Sequence, residues 1–106
     1  MFFEIGGEKK ELKLTTNGMR EVEKYLRKLY PECAVMEELQ KPGFEAMTLQ
    51  LWAAMLKNDR SATIDQAGDL ADLIGFSRLA EEIIPALQIE FFPDVTNEDT
   101  ADTAGN

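Results

Sequence analysis

The chain has 106 residues, 44% of them hydrophobic, with a formal net charge of −9, no histidine and one cysteine. A chain of this length supports one core rather than two, and a lone thiol, Cys33, forms no internal disulfide, in keeping with a reducing compartment. Without histidine, the usual zinc sites and the Ser-His or Cys-His nucleophile pairs are excluded, and enzyme readings lose most of their weight.

The charge is unevenly placed. Residues 1–60 carry ten Lys/Arg against ten Asp/Glu, whereas residues 61–106 carry Arg78 alone against ten acids, so the whole net −9 lies in the C-terminal part. A nucleic-acid duplex needs a basic face to displace its counterions, so no nucleic-acid partner is expected. The acidic part reads either as a solvated face or as a docking surface for a basic partner. No run approaches the ~18 consecutive apolar residues of a membrane span, and Met1-Phe2-Phe3-Glu4 lacks a signal-peptide pattern. A cytoplasmic protein with no membrane contact is expected.

Phe2 to Ile5 and Glu11 to Thr15 alternate, with Phe3, Ile5, Leu12 and Leu14 on one side and Glu4, Glu11 and Lys13 on the other. Gly6-Gly7-Glu8-Lys9 supplies turn chemistry between them. This predicts an N-terminal β-hairpin over 2–15 with one buried face. Two strands alone are marginal in water, so the hairpin must lie on the following helices or pair with another copy, and its open edge is a candidate assembly surface.

Thr16 or Asn17 can cap a helix over about 17–29 with Met19, Val22, Leu26 and Leu29 inward. Asn17-Gly18 could instead signal a hairpin turn, but no alternating strand follows. Tyr30-Pro31 ends the helix, because the residue before proline avoids the helical region. Pro31 can then open a short helix over about 32–40 with Cys33, Met36 and Leu39 on its buried side. Cys33 reads as a small core residue, since no basic neighbour lowers its pKa.

Phe44 to Leu56 is the most apolar stretch, with only Glu45, Thr48 and Gln50 polar. As a helix over about 44–57 it puts Phe44, Met47, Leu51, Trp52 and Met55 on one face, while Leu49, Ala53 and Leu56 continue the apolar surface round the side. A narrow strip near Glu45 and Gln50 is left for water. Such a helix is expected at the centre of the domain, packed by Leu26, Leu29, Leu70, Ile74, Ile83 and the hairpin face. The side bearing Leu49, Ala53 and Leu56 is then the candidate partner interface, with Met36, Met47 and Met55 as adaptable contacts or core filling.

Thr63-Ile64-Asp65-Gln66 is a capping box. It opens a helix over about 64–74 that ends at Gly75, with Ala67, Leu70, Ala71 and Ile74 inward and Asp65, Asp69 and Asp72 outward. Hard-metal loops bring their oxygens together through a tight glycine turn, which is missing here, so the acids read as a solvated face and no metal or cofactor is expected. Ser77 can cap a last helix over about 78–90 carrying Leu79, Ala80, Ile83, Ile84 and Leu87, kinked or restarted at Pro85. Phe91-Phe92-Pro93 reads as the last core contact, and residues 94–106 as a flexible, disordered acidic tail. The fold class expected is mainly α (α+β): one globular domain over 1–93, with an N-terminal β-hairpin followed by a compact bundle of four to five short helices.

A short hairpin, a helix of the type GMREVEKYL, an apolar helix around Trp52, then TIDQAGDLADLIGFSRLAEEIIPAL and a loose tail resemble the tail assembly chaperones of long-tailed, siphovirus-like bacteriophages and related prophages. The likeness is one of order, length and texture over roughly residues 1–92. It implies a non-enzymatic protein with no catalytic residues that binds the tape measure protein and helps tail tube protein assemble around it. It further implies self-association, residence in the cytoplasm of the bacterial host and absence from the finished virion. In that family a longer product is often made by ribosomal frameshifting. The rival readings are a structural head or tail component that stays in the particle, and an acidic DNA-mimic regulator using the carboxylates of residues 61–106. A hydrolase ranks last, because a helical row such as Asp65, Asp69 and Asp72 points its acids in parallel.

Overall fold

The computed structural model describes residues 1–41 and 43–92. Strands β1 (Phe2–Ile5) and β2 (Glu8–Glu11) pair antiparallel, Phe2 opposite Glu11 and Ile5 opposite Glu8. The turn needs only Gly6 and Gly7, at φ 60° and 81°, the double left-handed conformation that a two-residue hairpin turn requires. The second strand therefore begins at Glu8 instead of Glu11. Leu12 and Leu14 follow it, both buried with Phe3 and Ile5.

Helix α1 (Thr16–Leu29) is capped one residue earlier than expected, by Thr15, whose Oγ1 accepts from the Gly18 amide at 3.0 Å. Its buried line runs in steps of four through Gly18, Val22 and Leu26, with Met19 half-buried beside it. Leu29 lies off that line at the helix end and is 52% exposed, which corrects its assignment to the core. Pro31 does not open the next helix. It stands in a turn, where the Cys33 amide donates to the Tyr30 carbonyl at 3.0 Å, and α2 (Val35–Gln40) starts later. Leu39 is its buried residue, while Cys33 is half-buried against the core.

Helix α3 (Phe44–Met55) is central: it packs against α1, α2 and α4 and against the last helix of the chain. The face that does so differs from the expected one. Ala46, Leu49, Gln50, Leu51, Ala53 and Ala54 are buried, Met47, Trp52 and Met55 are half-buried, and Phe44 is 73% exposed. The small residues explain the rotation. Alanines let neighbouring backbones come close, so the tightest packing falls on Ala46, Ala53 and Ala54 rather than on the bulkiest side chains. Phe44, in the first turn, overhangs the end of the bundle.

Helix α4 (Ile64–Ile74) begins with the predicted capping box: the Gln66 amide donates to Thr63 Oγ1 at 3.1 Å, and the Thr63 amide donates to Gln66 Oε1 at 3.0 Å. Ala67 and Ile74 are buried, Leu70 and Ala71 half-buried. After Gly75 (φ 93°), the backbone stays helical through α5 (Phe76–Arg78), a π-helical turn (Leu79–Ile83) and α6 (Ile84–Phe91). The helix starts before Ser77, so Ser77 does not cap it. The wide turn answers Pro85, which lacks an amide hydrogen and crowds the turn before it. The Ile84 amide reaches back five residues to the Leu79 carbonyl. Leu79, Ile83, Ile84 and Leu87 point into the core, where each fully buried aliphatic side chain contributes about 1.5–3 kcal/mol. Pro93, expected as part of the last core contact, and the acidic tail expected over 94–106 lie outside the described residues.

Candidate partner-binding groove

Gln50 is the polar residue on which three helices meet. It is 3% exposed, although the sequence places it on a strip open to water. Its Nε2 donates to the carbonyls of Leu39 at 3.0 Å and Ala46 at 3.4 Å, and its Oε1 accepts from Gln88 Nε2 at 2.6 Å. The Leu39 carbonyl belongs to the last turn of α2, where no helical amide remains to satisfy it. Gln50 therefore fastens the end of α2 to α3, and Gln88 fastens α6 to both. No buried side-chain nitrogen or oxygen lacks a partner among the described residues.

Above this amide pair lies a groove of about 460 Å³ between the start of α1, α2 and α6. Leu14, Met19, Leu39 and Pro85 line it, with Met36, Ile89 and Phe92 around its mouth and Gln40, Gln50 and Gln88 as its polar members. Among the described residues, no charged side chain lines it. Met36 is 48% and Ile89 62% exposed, so large apolar side chains stand in water around an apolar hollow. Ile89 was legible only indirectly: it falls off the inward line of Ile83, Ile84 and Leu87.

Two residues of the interface expected on α3 do not reach the surface. Leu49 and Ala53 are sealed in the core at 1% and 0% exposure, because α3 is surrounded and has no free side at those positions. Leu56, Met47 and Met55 are half-buried, Met47 and Met55 packed against the core. Of the six residues proposed, Met36 alone borders the open apolar groove. Each hairpin edge has one carbonyl taken by a side chain. Arg78 Nη1 donates to the Glu4 carbonyl at 2.9 Å on the free side of β1, and Asn58 Nδ2 donates to the Glu11 carbonyl at 3.2 Å on the free side of β2. Each bonded carbonyl is one acceptor fewer for an incoming strand.

No family model, curated protein or solved structure matches the chain. Its chemistry is therefore read from its own side chains. Among the described residues, no group of three or more His, Cys, Asp or Glu is placed to hold a metal ion, and no helix is long and apolar enough to cross a membrane. Asp65, Asp69 and Asp72 remain on the exposed face of α4.

Trp52 and Tyr25 brace the opposite side of the bundle from the groove. Trp52 Nε1 donates to the Ala62 carbonyl at 2.8 Å, tying α3 to the loop before α4, and Tyr25 meets the indole edge-on with centroids 6.2 Å apart. Burial, then the negative charge of Glu45, with smaller effects of Tyr30 and Asp65, raises the Tyr25 hydroxyl above its usual pKa.

Proposed function

We propose that this protein is a non-enzymatic assembly chaperone of the kind that serves long-tailed phages, and that it holds an apolar helical segment of the tape measure protein in the groove between α1, α2 and α6. The observation that carries this reading is a groove of about 460 Å³ with no charged lining among the described residues and with Met36, Ile89 and Phe92 at its mouth. Helix-in-groove recognition works through a few apolar anchors spaced along one face of the bound helix. Methionine suits such a site because its unbranched thioether adapts to varied sequence along an elongated partner. Of the polar lining, Gln50 is already paired with Leu39, Ala46 and Gln88, so it presents neither a charge to desolvate nor an unpaired amide. Binding tube protein, self-association and residence in the host cytoplasm belong to the same proposal.

Co-expression with a tape measure protein of a long-tailed phage tests this. The expected result is a soluble complex that purifies with the wild-type chain and is lost in Met36→Glu and Ile89→Glu, two exposed positions where a charge leaves the fold intact. A partner that stays insoluble, with no complex, rejects the reading. Detection of the chain in purified virions replaces it with a structural particle component.

A further inference from the structure

The first turn of α3 and the start of α5 leave two phenylalanines side by side on the surface. Phe44 is 73% and Phe76 43% exposed, with ring centroids 4.7 Å apart and planes inclined at 56°. Each ring shields the other only in part, so the pair keeps a sizeable aromatic surface in water. The pair forms one end of a second groove, of about 870 Å³, running along α4. Four carboxylates border it, Glu45, Asp65, Asp69 and Asp72, and among the described residues no Lys or Arg does. None of the four takes part in an ion pair among the described residues. Gly68 sits between the acids with nothing within 4 Å of where a Cβ would stand, so the middle of the groove is open.

We infer that this groove docks a basic amphipathic segment of another protein, with an apolar side chain laid on Phe44 and Phe76 and Lys or Arg side chains over Glu45, Asp65, Asp69 and Asp72. A face whose role is only solvation has no use for an exposed aromatic pair. An uncharged occupant would strip water from four carboxylates with nothing in exchange, which is costly, and an acidic one is repelled. A second copy of the chain fits poorly. Its own basic helix, α1, turns its apolar face into its core and pairs Lys24 with Glu21 and Arg27 with Glu23. The inference concerns a different face from the groove between α1, α2 and α6 and stands whether or not that groove takes a partner.

The test titrates the full chain into a fluorescein-labelled synthetic amphipathic helix of lysine and leucine, read by anisotropy. The same helix with every lysine replaced by glutamate serves as control. Binding of the lysine helix is expected, weakening with salt as exposed ion pairs are screened. Its dissociation constant rises about tenfold or more in Phe44→Ser and in the combined Asp65→Asn, Asp69→Asn, Asp72→Asn variant, as for loss of an interface anchor. Met36→Glu and Ile89→Glu leave it unchanged, and the glutamate helix does not bind. The altered positions are exposed, and an unchanged melting profile verifies the fold of each variant. The inference is overturned by absence of binding, by equal binding of Phe44→Ser, or by loss of binding in the Met36 and Ile89 variants alone. It is likewise overturned if sedimentation shows a dimer of the unliganded chain that Phe44→Ser dissociates, since the occupant is then a second copy.

Discussion

A Cβ at position 18 would stand 2.6 Å from the carbonyl oxygen of Ala53, because α1 crosses α3 with no side chain between the two backbones at Gly18. The neighbour is backbone and cannot swing aside. Gly18→Ala must push the two helices apart and is expected to cost about 1–3 kcal/mol, the range of overpacked cores. Gly68→Ala is the contrasting case, a helical glycine facing open space. It should gain about 0.5–1 kcal/mol from the reduced backbone freedom of the unfolded chain. Urea denaturation of the two variants checks both signs.

Gln50→Leu keeps the volume of the side chain but leaves the Leu39 carbonyl and the Gln88 amide without their partner. A loss of about 1–3 kcal/mol is expected, as for a buried polar group left unsatisfied. The more telling readout is local. Amide hydrogen exchange should accelerate in α2, the short helix that Gln50 holds down, before it does so in α4.

Trp52→Phe retains an aromatic ring against Tyr25 and removes the hydrogen bond to Ala62. The expected cost is about 0.5–1.5 kcal/mol, the net worth of one such bond. Thermal unfolding followed by circular dichroism measures it. A loss several times larger would mean that the indole ring, rather than its N–H, holds the loop before α4.

The raised pKa of Tyr25 has a defined sign. The folded protein keeps the hydroxyl proton where the unfolded chain has begun to lose it, so the associated stability is complete below about pH 10, the ordinary tyrosine value. It is lost as pH rises above that. Tyr25→Phe should therefore flatten the fall of stability at alkaline pH while leaving its value near neutrality changed only by the lost hydroxyl. Denaturation midpoints on either side of that pH give the comparison.

Much of the fold was legible in the sequence, because its signals are local. The capping box at Thr63 and Gln66, the alternation of Phe3 and Ile5, and the four-residue step from Val22 to Leu26 each follow from neighbours along the chain. What was missed depends on contacts far apart in sequence. Which side of α3 is buried is decided by how closely Gly18 approaches Ala53, and a scan for bulky residues passes over alanine. Phe44 reads as core because it continues a stripe, yet at the end of the bundle the Phe76 ring of α5 covers it only in part. Gln50 reads as water-facing by its polarity. Its burial follows from an acceptor eleven residues away and a donor thirty-eight residues away. The contacts of Arg78 and Asn58 with the hairpin edges are not legible locally, because both reach them from distant parts of the chain.

The π-helical turn at Leu79–Ile83 acts as a phase setting. Each residue of an α-helix advances about 100° around the axis, so the extra residue held in that turn rotates everything after Ile84 relative to an uninterrupted helix. Whether Leu87 faces the core, Gln88 meets Gln50 and Ile89 stands at the mouth of the groove is thus decided upstream, by a proline and a widened turn. Removing one residue from 79–83 would leave the composition of α6 untouched and turn its groove-facing side elsewhere. Among homologous chains, residue identities in α6 would then carry less information about partner choice than the presence or absence of that one inserted residue.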